Sequence, residues 1–275
     1  MFKDFDRIVA DYKNQDIFIS DQSLYYKKIE FIYNSNKLEG NLIDHRGTES
    51  VIRDRLCFTN VVRFKDILEV KGHAKALDNC LFMVKNKYPL TEKTIKAFNA
   101  DLLYPLWSFE EFYASFKYHK QELGKYKVIN NGIKYVLDGQ QGNIEPLSNT
   151  ETIEKNMEHV FTESKSIKHV IERSAHLAYQ IFINQPFPDG NKRTARLVVV
   201  YLLLEAGLPL IVFKAETPNF NEGLLSSYKE NSLAPLIHVI EAEVKQQLSE
   251  MIEMDKKLKI NRTPPTLGID NTLIF

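Results

Sequence analysis

The sequence predicts a mostly α-helical protein with one small β-hairpin. Long segments repeat apolar residues at three- and four-residue spacing and contain few Gly or Pro, which is typical of packed helices. One stretch differs: residues 125–147 (KYKVINNGIKYVLDGQQGNIEPL) mix β-branched and aromatic residues with Asn-Asn-Gly, Asp-Gly and Gly-Asn turn signals. At 275 residues, the chain is long enough to bury a substantial core around these elements.

The apolar spacing places ten helices along the chain and one clear strand at 133–137. The helices are predicted at about 3–13, 21–39, 61–86, 91–104, 108–122, 150–163, 166–184, 191–206, 218–230 and 233–257. We expect an N-terminal helical region over 1–60, a core over 61–245, and the end of a helix with a loose tail over 246–275.

Composition excludes several classes of function. Lys plus Arg (36) equals Asp plus Glu (36), so no basic excess indicates a nucleic-acid partner. Charges interrupt the N-terminus where a signal peptide needs an apolar run, and the longest apolar stretch, 197–204, is too short to span a bilayer. We therefore expect a cytoplasmic protein without a membrane partner, in which Cys57 and Cys80 are reduced thiols.

Residues 184–196, NQPFPDGNKRTAR, have the pattern of an anion-binding loop and are called the motif segment below. Pro186 disfavours helical geometry in the residue before it, so the preceding helix is expected to stop at Gln185. Pro188, Asp189 and Gly190 form a turn signal, and a new helix is expected to start near Asn191. The loop would then present the free N–H groups of a helix N-terminus to an anion.

Charged side chains reinforce this prediction. Arg193 and Arg196 are three residues apart, so they share one face of the new helix and can hold one polyphosphate together. Asp189 lies at the mouth of the loop, where a carboxylate can hold Mg²⁺ that bridges phosphate oxygens. The helix that follows is apolar nearly all round, which predicts a central position for it.

The motif segment resembles the Fic family motif, H-x-F-x-(D/E)-G-N-(G/K)-R-x-x-R. Six positions match: Phe187, Asp189, Gly190, Asn191, Arg193 and Arg196. The similarity extends over about residues 30–240, including the hairpin upstream and the helices downstream. The resemblance implies a Fic-type helical core with a small β-hairpin flap and an N-terminal inhibitory helix.

The resemblance also implies a function, namely transfer of AMP from ATP to a Ser, Thr or Tyr hydroxyl of a target protein. By position, Asp189 would hold Mg²⁺, Gly190 and Asn191 would line the anion hole, and Arg193 and Arg196 would hold the β- and γ-phosphates. Lys192, between them, is also expected among the nucleotide-binding residues. The flap residues would align the target's backbone beside the site. These residues are Ile133, Lys134, Tyr135, Val136 and Leu137. Members of the family often form homodimers, so a homodimer is a possible assembly.

The family's catalytic base, a His, is replaced by Gln185. A glutamine amide donates and accepts hydrogen bonds but has no pKa near neutrality, so it cannot take the proton of a target hydroxyl. Loss of a general base typically lowers the rate by about 10²–10⁴. Three explanations stay open: an engineered change, a natural enzyme without activity, or a substitute base such as His176 on the preceding helix.

Lys192 is a second departure, because AMP-transferring members mostly have Gly there. Lys at this position resembles the Doc-like branch, which transfers the γ-phosphate but usually lacks the second arginine, here Arg196. AMP transfer is therefore the favoured interpretation. A Doc-like kinase and a catalytically dead module that binds nucleotide or docks a protein are the alternatives.

Upstream, YNSNKLEGN (33–41) resembles the family's inhibitory motif, (S/T)-x-x-x-E-(G/N). Ser35 and Glu39 are four residues apart and share a helix face, and a glutamate at a helix C-terminus is unfavourable without a cationic partner. The resemblance implies that Glu39 pairs with Arg196. That carboxylate would occupy the guanidinium that the γ-phosphate needs. In some members this Glu also helps to remove AMP, so addition and removal both stay open.

Overall fold

The computed structural model describes residues 2–15, 17–55, 62–137, 140–216 and 219–262. Its helices are α1 (Lys3–Asn14), α2 (Asp21–Lys37), α3 (His45–Ile52), α4 (Phe64–Lys85), α5 (Glu92–Trp107), α6 (Glu110–Tyr118), α7 (Ile153–Ser164), α8 (Val170–Asn184), α9 (Asn191–Glu205), α10 (Phe220–Lys229) and α11 (Ala234–Arg262). Two strands, β1 (Ile133–Leu137) and β2 (Gln140–Ile144), lie between α6 and α7. The predicted mostly helical fold with one small hairpin is confirmed.

Each of the ten predicted helices is present, and α3 is an additional one. This helix has only eight residues and includes a glycine in its first turn, so its apolar spacing is too short to stand out. The Asp44 side chain caps it by accepting a hydrogen bond from the Gly47 N–H at 2.7 Å. The cap was a usable sequence signal that the periodicity argument did not include.

Helix α9 is the centre of the fold. It contacts α2, α4, α5 and α8, and Leu197 to Leu203 are all at most 2% exposed. The sequence predicted this burial from the apolar character of α9 on all sides. Because α9 is buried along most of its length, from Asn191 to Leu203, the side chains on its first turn are held in position.

Strands β1 and β2 form a two-stranded antiparallel hairpin with Ile133 opposite Ile144. Tyr135 lies opposite Gly142, and its ring occupies the space above the glycine, since a Cβ there would come within 2.2 Å of the ring. Both isoleucines are buried, whereas Lys134 is exposed. The hairpin is thus anchored at its base, and each of its strands has one unpaired edge in the described structure.

Two compact units make up the chain. One comprises 1–19 with 244–275, and the other comprises 20–243, which contains all the motif residues discussed below. The division at 60 and 245 predicted from the sequence stays a prediction. Cys80 is a buried free thiol, whereas Cys57 and most of the predicted tail lie outside the described residues. Among the described helices, none is long and apolar enough to cross a membrane.

Candidate functional site

The motif segment joins α8 to α9 through two residues with left-handed backbone. Helix α8 ends at Asn184, and Gln185 has φ 46° and ψ 60°. The helix therefore stops where Pro186 predicted, but through a left-handed cap and not through an extended residue. Gly190 has φ 75°, and a Cβ there would lie 3.1 Å from Asn99 Nδ2, so both conformation and space favour glycine. Helix α9 starts at Asn191, as predicted.

Hydrogen bonds inside the segment hold its shape. Asn191 Oδ1 accepts from the Phe187 N–H at 2.9 Å, and Asn191 Nδ2 donates to the Phe187 carbonyl at 2.8 Å. Asn99 on α5 donates to the Asp189 carbonyl at 2.9 Å. The Phe187 ring is fully buried and lies 5.7 Å, centre to centre, from the ring of Tyr126. Packing and hydrogen bonds together therefore fix the loop.

Gln185 is part of this internal network. Its Nε2 donates to the Phe182 carbonyl at 2.7 Å, and its Oε1 accepts from Asn191 Nδ2 at 2.9 Å. The residue is 8% exposed, although it lines the smaller of the two cavities described below. The amide thus links the last turn of α8 to Asn191 at the start of α9, which stabilises the segment.

Lys127 holds the segment from the outside, a role that no sequence pattern indicated. Its Nζ donates to the Ser148 carbonyl at 2.6 Å, to Asn131 Oδ1 at 3.0 Å and to the Asn184 carbonyl at 3.1 Å. Its backbone N–H donates to the Pro186 carbonyl at 2.8 Å. Burial lowers the pKa of Lys127 to about 8. The residue therefore fixes the backbone on both sides of Gln185.

Asp189 lies at the mouth of the segment, with 41% of its side chain exposed. Its Oδ2 accepts from the Tyr113 hydroxyl at 2.8 Å, and its Oδ1 accepts from the Gly190 N–H at 2.6 Å. Gly190, expected in the anion hole, thus uses its N–H within the loop. In the described residues no group of three metal-ligating side chains occurs. One exposed carboxylate fits Mg²⁺ that takes its remaining ligands from phosphates and water.

Arg193 is buried between two carboxylates. Its guanidinium lies 3.5 Å from Glu69 on α4 and 3.7 Å from Asp189. Burial alone would lower the pKa of Arg193, but the carboxylates outweigh burial and raise it. Within the described residues, its Nη1 is buried and makes no hydrogen bond, and its partner is the carboxylate of Glu69 at 3.5 Å.

Arg196 is fully buried and is held by α2 and α10. Its Nε donates to Ser35 Oγ at 2.7 Å, and its Nη2 donates to the Ser35 carbonyl at 2.8 Å. Nη1 donates to Asn221 Oδ1 at 2.9 Å, and Asn221 Nδ2 donates to the Leu38 carbonyl at 3.0 Å. Burial lowers the pKa of Arg196 from its usual value. Asn221 therefore ties this arginine to the end of α2.

The structure brings Glu39 together with two cations of α9. Glu39 Oε1 lies 2.8 Å from Arg196 Nη2, and Oε2 lies 2.9 Å from Lys192 Nζ. Burial alone would raise the pKa of Glu39, but Lys192, Arg196 and then Arg193 outweigh it and lower the pKa to about 2. Glu39 is therefore ionised at neutral pH. We call this arrangement the Glu39 contact.

Two cavities open at the motif segment. The larger, of about 1000 Å³, is lined by α2, the hairpin, α9 and α10, with Glu39, Tyr135, Lys192 and Asn221 among its residues. The smaller, of about 170 Å³, is lined by Gln185, Asp189, Arg193 and again Glu39 and Lys192. Ile133 and Lys134 line both cavities, so the start of β1 lies beside the loop. Val136 and Leu137 continue β1 by pairing with Gln141 and Gln140.

Comparison with known proteins agrees with this geometry, since residues 89–203 match the model of the Fic/DOC family. This match covers less than half of the chain. The chain also superimposes on solved structures over most of its length. A Fic-domain-containing signalling protein from Bacteroides thetaiotaomicron gives a TM-score of 0.76 at 23% identity, covering 93% of this chain and 97% of that one. Fic-1 from C. elegans, residues 134–508, gives 0.72 at 16% identity, covering 92% and 72%.

Two relatives found by sequence similarity are named as protein adenylyltransferases. Protein adenylyltransferase Fic of Nematostella vectensis is 26% identical over 215 residues, which is 77% of this chain and 45% of the relative. Protein adenylyltransferase Fic of Aedes aegypti is 24% identical over 235 residues, or 81% of this chain and 42% of the relative. The chain thus spans less than half the length of these two relatives, and the solved structures establish the fold alone.

Several residues of the candidate site were missed because they lie far from the motif in sequence. Four of them, on α6, α4, the loop before β1 and α10, act through contacts that only folding creates: Tyr113, Glu69, Lys127 and Asn221. A buried charge on an apolar helix face was the one available signal, and it applies to Glu69 alone. The possible substitute base His176 lies 3.8 Å from Glu163 and is not among the residues lining either cavity.

Proposed function

We propose that the site transfers AMP from ATP to a Ser, Thr or Tyr hydroxyl of a target protein, and that the Glu39 contact restrains it. One observation carries the proposal: two buried arginines, Arg193 and Arg196, share the first turns of α9, where a helix N-terminus also favours an anion. The adenylyltransferase names of the relatives support AMP transfer as the reaction. The target protein, a homodimer and a cytoplasmic location stay predictions.

In the proposed complex, Arg193 binds the β-phosphate and Arg196 the γ-phosphate. The N–H groups of Asn191 and Lys192 belong to the first turn of α9, which has no intrahelical acceptors, so they can donate to phosphate oxygens. Bound Mg²⁺ would neutralise phosphate charge, and Asp189 is the residue that would hold it. Arg193 lines the smaller cavity together with Asp189, which suits this assignment.

The reaction would be a substitution at the α-phosphorus. The target hydroxyl oxygen forms a bond to that phosphorus while the bond to the β-phosphate bridging oxygen breaks and pyrophosphate leaves. The hydroxyl proton then needs an acceptor. Gln185 cannot accept it, since an amide is not a base at neutral pH and both of its polar ends are already bonded, to Phe182 and to Asn191. We therefore propose nucleotide binding with transfer slowed by about 10²–10⁴.

A binding or docking module without transfer is the second candidate. The hydrogen bonds of Gln185 favour it, because the amide stabilises the loop and leaves no group at that position to take a proton. This candidate predicts ATP binding but no transfer, even when a histidine replaces Gln185.

The two candidates are distinguished by a labelling assay with α-labelled and γ-labelled ATP, Mg²⁺ and cell lysate. Four proteins are compared: the chain as it is, Gln185→His, Glu39→Gly and the double variant. AMP transfer predicts that the double variant gives by far the strongest α-label on protein. Adding Asp189→Asn to the double variant should abolish that label, since the proposed Mg²⁺ ligand is lost.

The remaining outcomes decide against AMP transfer. Label transferred only from γ-labelled ATP would identify a kinase-like member. No transfer of either label by the double variant, with ATP still bound, would favour the binding module. ATP binding is measured on the same samples by calorimetry, so that failed chemistry is not confused with failed binding.

A further inference from the structure

Lys192 occupies an unfavourable place unless an anion accompanies it. It is the second residue of α9, where the helix dipole presents partial positive charge, and the first turn of α9 contains no acidic residue. Arg193 and Arg196 add two more cations close by. A lysine here is therefore expected only where a carboxylate or a phosphate compensates its charge.

Glu39 supplies that compensation in this structure. Each of its two carboxylate oxygens pairs with a different cation: Oε1 lies 2.8 Å from Arg196, and Oε2 lies 2.9 Å from Lys192. The side chains of Lys192 and Glu39 are 29% and 17% exposed, so water screens this pair less than an ion pair on the open surface. Of the charges near Glu39, Lys192 has the largest effect in lowering the carboxyl pKa.

The charge balance of the site shows what must change before a nucleotide binds. Three cations, Lys192, Arg193 and Arg196, face three carboxylates. The carboxylates are Glu39, Glu69 and Asp189. These six groups are therefore balanced in charge while Glu39 is in place, and they offer a triphosphate no excess positive charge. Lys192 lines both cavities, so its ammonium group stays in the nucleotide's path after Glu39 leaves.

We propose that Lys192 is a second positioning cation of the Glu39 contact and binds a nucleotide phosphate once Glu39 has left. This rests on the proposed function, because it requires ATP to occupy the motif segment. Lys192 binds one anion at a time, so it strengthens inhibition in one state and ATP binding in the other. The presence of a lysine at position 192 is then explained without a nucleotide bound in the reverse, kinase-like orientation.

The test is a double-mutant cycle in the affinity for ATP with Mg²⁺, measured by calorimetry on the full chain. The four proteins are the unchanged chain, Glu39→Gly, Lys192→Met and the double variant. Glu39→Gly should increase affinity, and this increase should be at least about fivefold smaller in the Lys192→Met background, since a partly buried ion pair contributes about 1 kcal/mol. In the Glu39→Gly background, Lys192→Met should lower ATP affinity by several-fold.

Controls separate these effects from a general loss of structure. Lys75→Met removes an ion pair outside the site, between Lys75 on α4 and Asp101 at 3.1 Å. It should leave the increase in ATP affinity caused by Glu39→Gly unchanged. Lys192→Arg retains the charge and should restore most of the coupling. Thermal unfolding of every variant confirms that the affinities refer to folded protein.

Each contrary result has a definite meaning. An equal increase from Glu39→Gly with and without Lys192 would overturn the role of Lys192 in the Glu39 contact. Unchanged ATP affinity on adding Lys192→Met to Glu39→Gly would overturn its role toward phosphate. If Glu39→Gly itself binds no ATP, the proposed function fails, and the assignment of Lys192 fails with it.

Discussion

The motif segment and the hairpin lie side by side but are built in opposite ways. In the motif segment, Phe187, Gln185 and Asn191 are buried, and their polar groups bond within the loop. In the hairpin, two strands pair only with each other, and Lys134 projects into solvent. One element is fixed by the core, and the other has unpaired backbone beside the same cavity.

This difference separates two tasks. Holding a triphosphate and a metal ion requires donors at fixed positions, which a helix terminus buried in the core provides. Accepting a protein segment requires exposed backbone that pairs with an incoming strand, and the edge of a small hairpin offers it. We therefore expect substitutions in the motif segment to change stability and nucleotide binding, and substitutions in the hairpin to change target labelling.

The largest expected effect is that of Arg196→Met. It leaves Glu39, Ser35 and Asn221 without their shared donor, so the free energy of unfolding should fall by about 3–5 kcal/mol. Urea unfolding at pH 7 measures this loss.

The control Arg7→Met removes an exposed pair with Asp4 and should change stability by less than about 0.5 kcal/mol. A loss below about 1 kcal/mol for Arg196→Met would mean that the segment is not fixed as described.

Glu39→Gln tests the charge of the Glu39 contact. The folded pKa is lowered to about 2 from 4.5, so ionised Glu39 stabilises the fold at pH above 4.5, and this contribution is lost as the pH falls through 2. The variant should be less stable by up to about 3 kcal/mol at pH 7. The difference should shrink by about 2 kcal/mol at pH 3. Urea unfolding of both proteins at each pH measures it, and a difference independent of pH would contradict an ionised contact.

Lys127→Met should have an intermediate effect. It leaves the Ser148 and Asn184 carbonyls without their ammonium donor, which should cost about 1–3 kcal/mol. Because the Asn184 carbonyl belongs to the residue before Gln185, ATP affinity of the Glu39→Gly chain should also fall. Lys127→Arg retains a charged donor, so its stability and its ATP affinity should both fall less. Equal losses in the two variants would show that packing, and not the charged donor, holds the segment.

The smallest effect on stability is expected for Tyr135→Ala in the hairpin. The tyrosine covers Gly142 but lies outside the core, so stability should change by less than about 1 kcal/mol. Labelling of target protein by the Gln185→His, Glu39→Gly chain should nevertheless fall, while its ATP affinity stays the same. The matched control is Tyr118→Ala, an 83% exposed tyrosine at the end of α6. Unchanged labelling in Tyr135→Ala would contradict a docking role for this side chain.

The motif segment and the hairpin also differ in how much of their structure could be predicted from the sequence. The motif segment has local signals, since Pro186, Gly190 and the arginine spacing each act over a few residues. The helix start at Asn191 and the hairpin strand at 133–137 followed from such signals. The left-handed Gln185 did not, because propensity before proline favours extended backbone and the loop's own hydrogen bonds override it.

Apart from the pairing of Glu39 with Arg196, which the motif resemblance implied, contacts between distant segments were beyond prediction from sequence patterns. Glu69 reaches Arg193, and Asn221 reaches Arg196, across long separations in sequence. Neither residue type is unusual where it stands, and the chemistry arises only when α4 and α10 pack against α9. Lys192 shows the same limit: the sequence marked it as a departure from the motif, and only its distance to Glu39 gave it a partner.

The most direct test of the account is a crystal structure of Glu39→Gly with ATP and Mg²⁺. The account predicts a triphosphate on Arg193 and Arg196, Mg²⁺ beside Asp189, and the α-phosphate next to Gln185, where a target hydroxyl would attack. A nucleotide in the reverse orientation, with its γ-phosphate next to Gln185, would contradict AMP transfer as the function of this site. A motif segment without nucleotide at saturating ATP would contradict nucleotide binding itself.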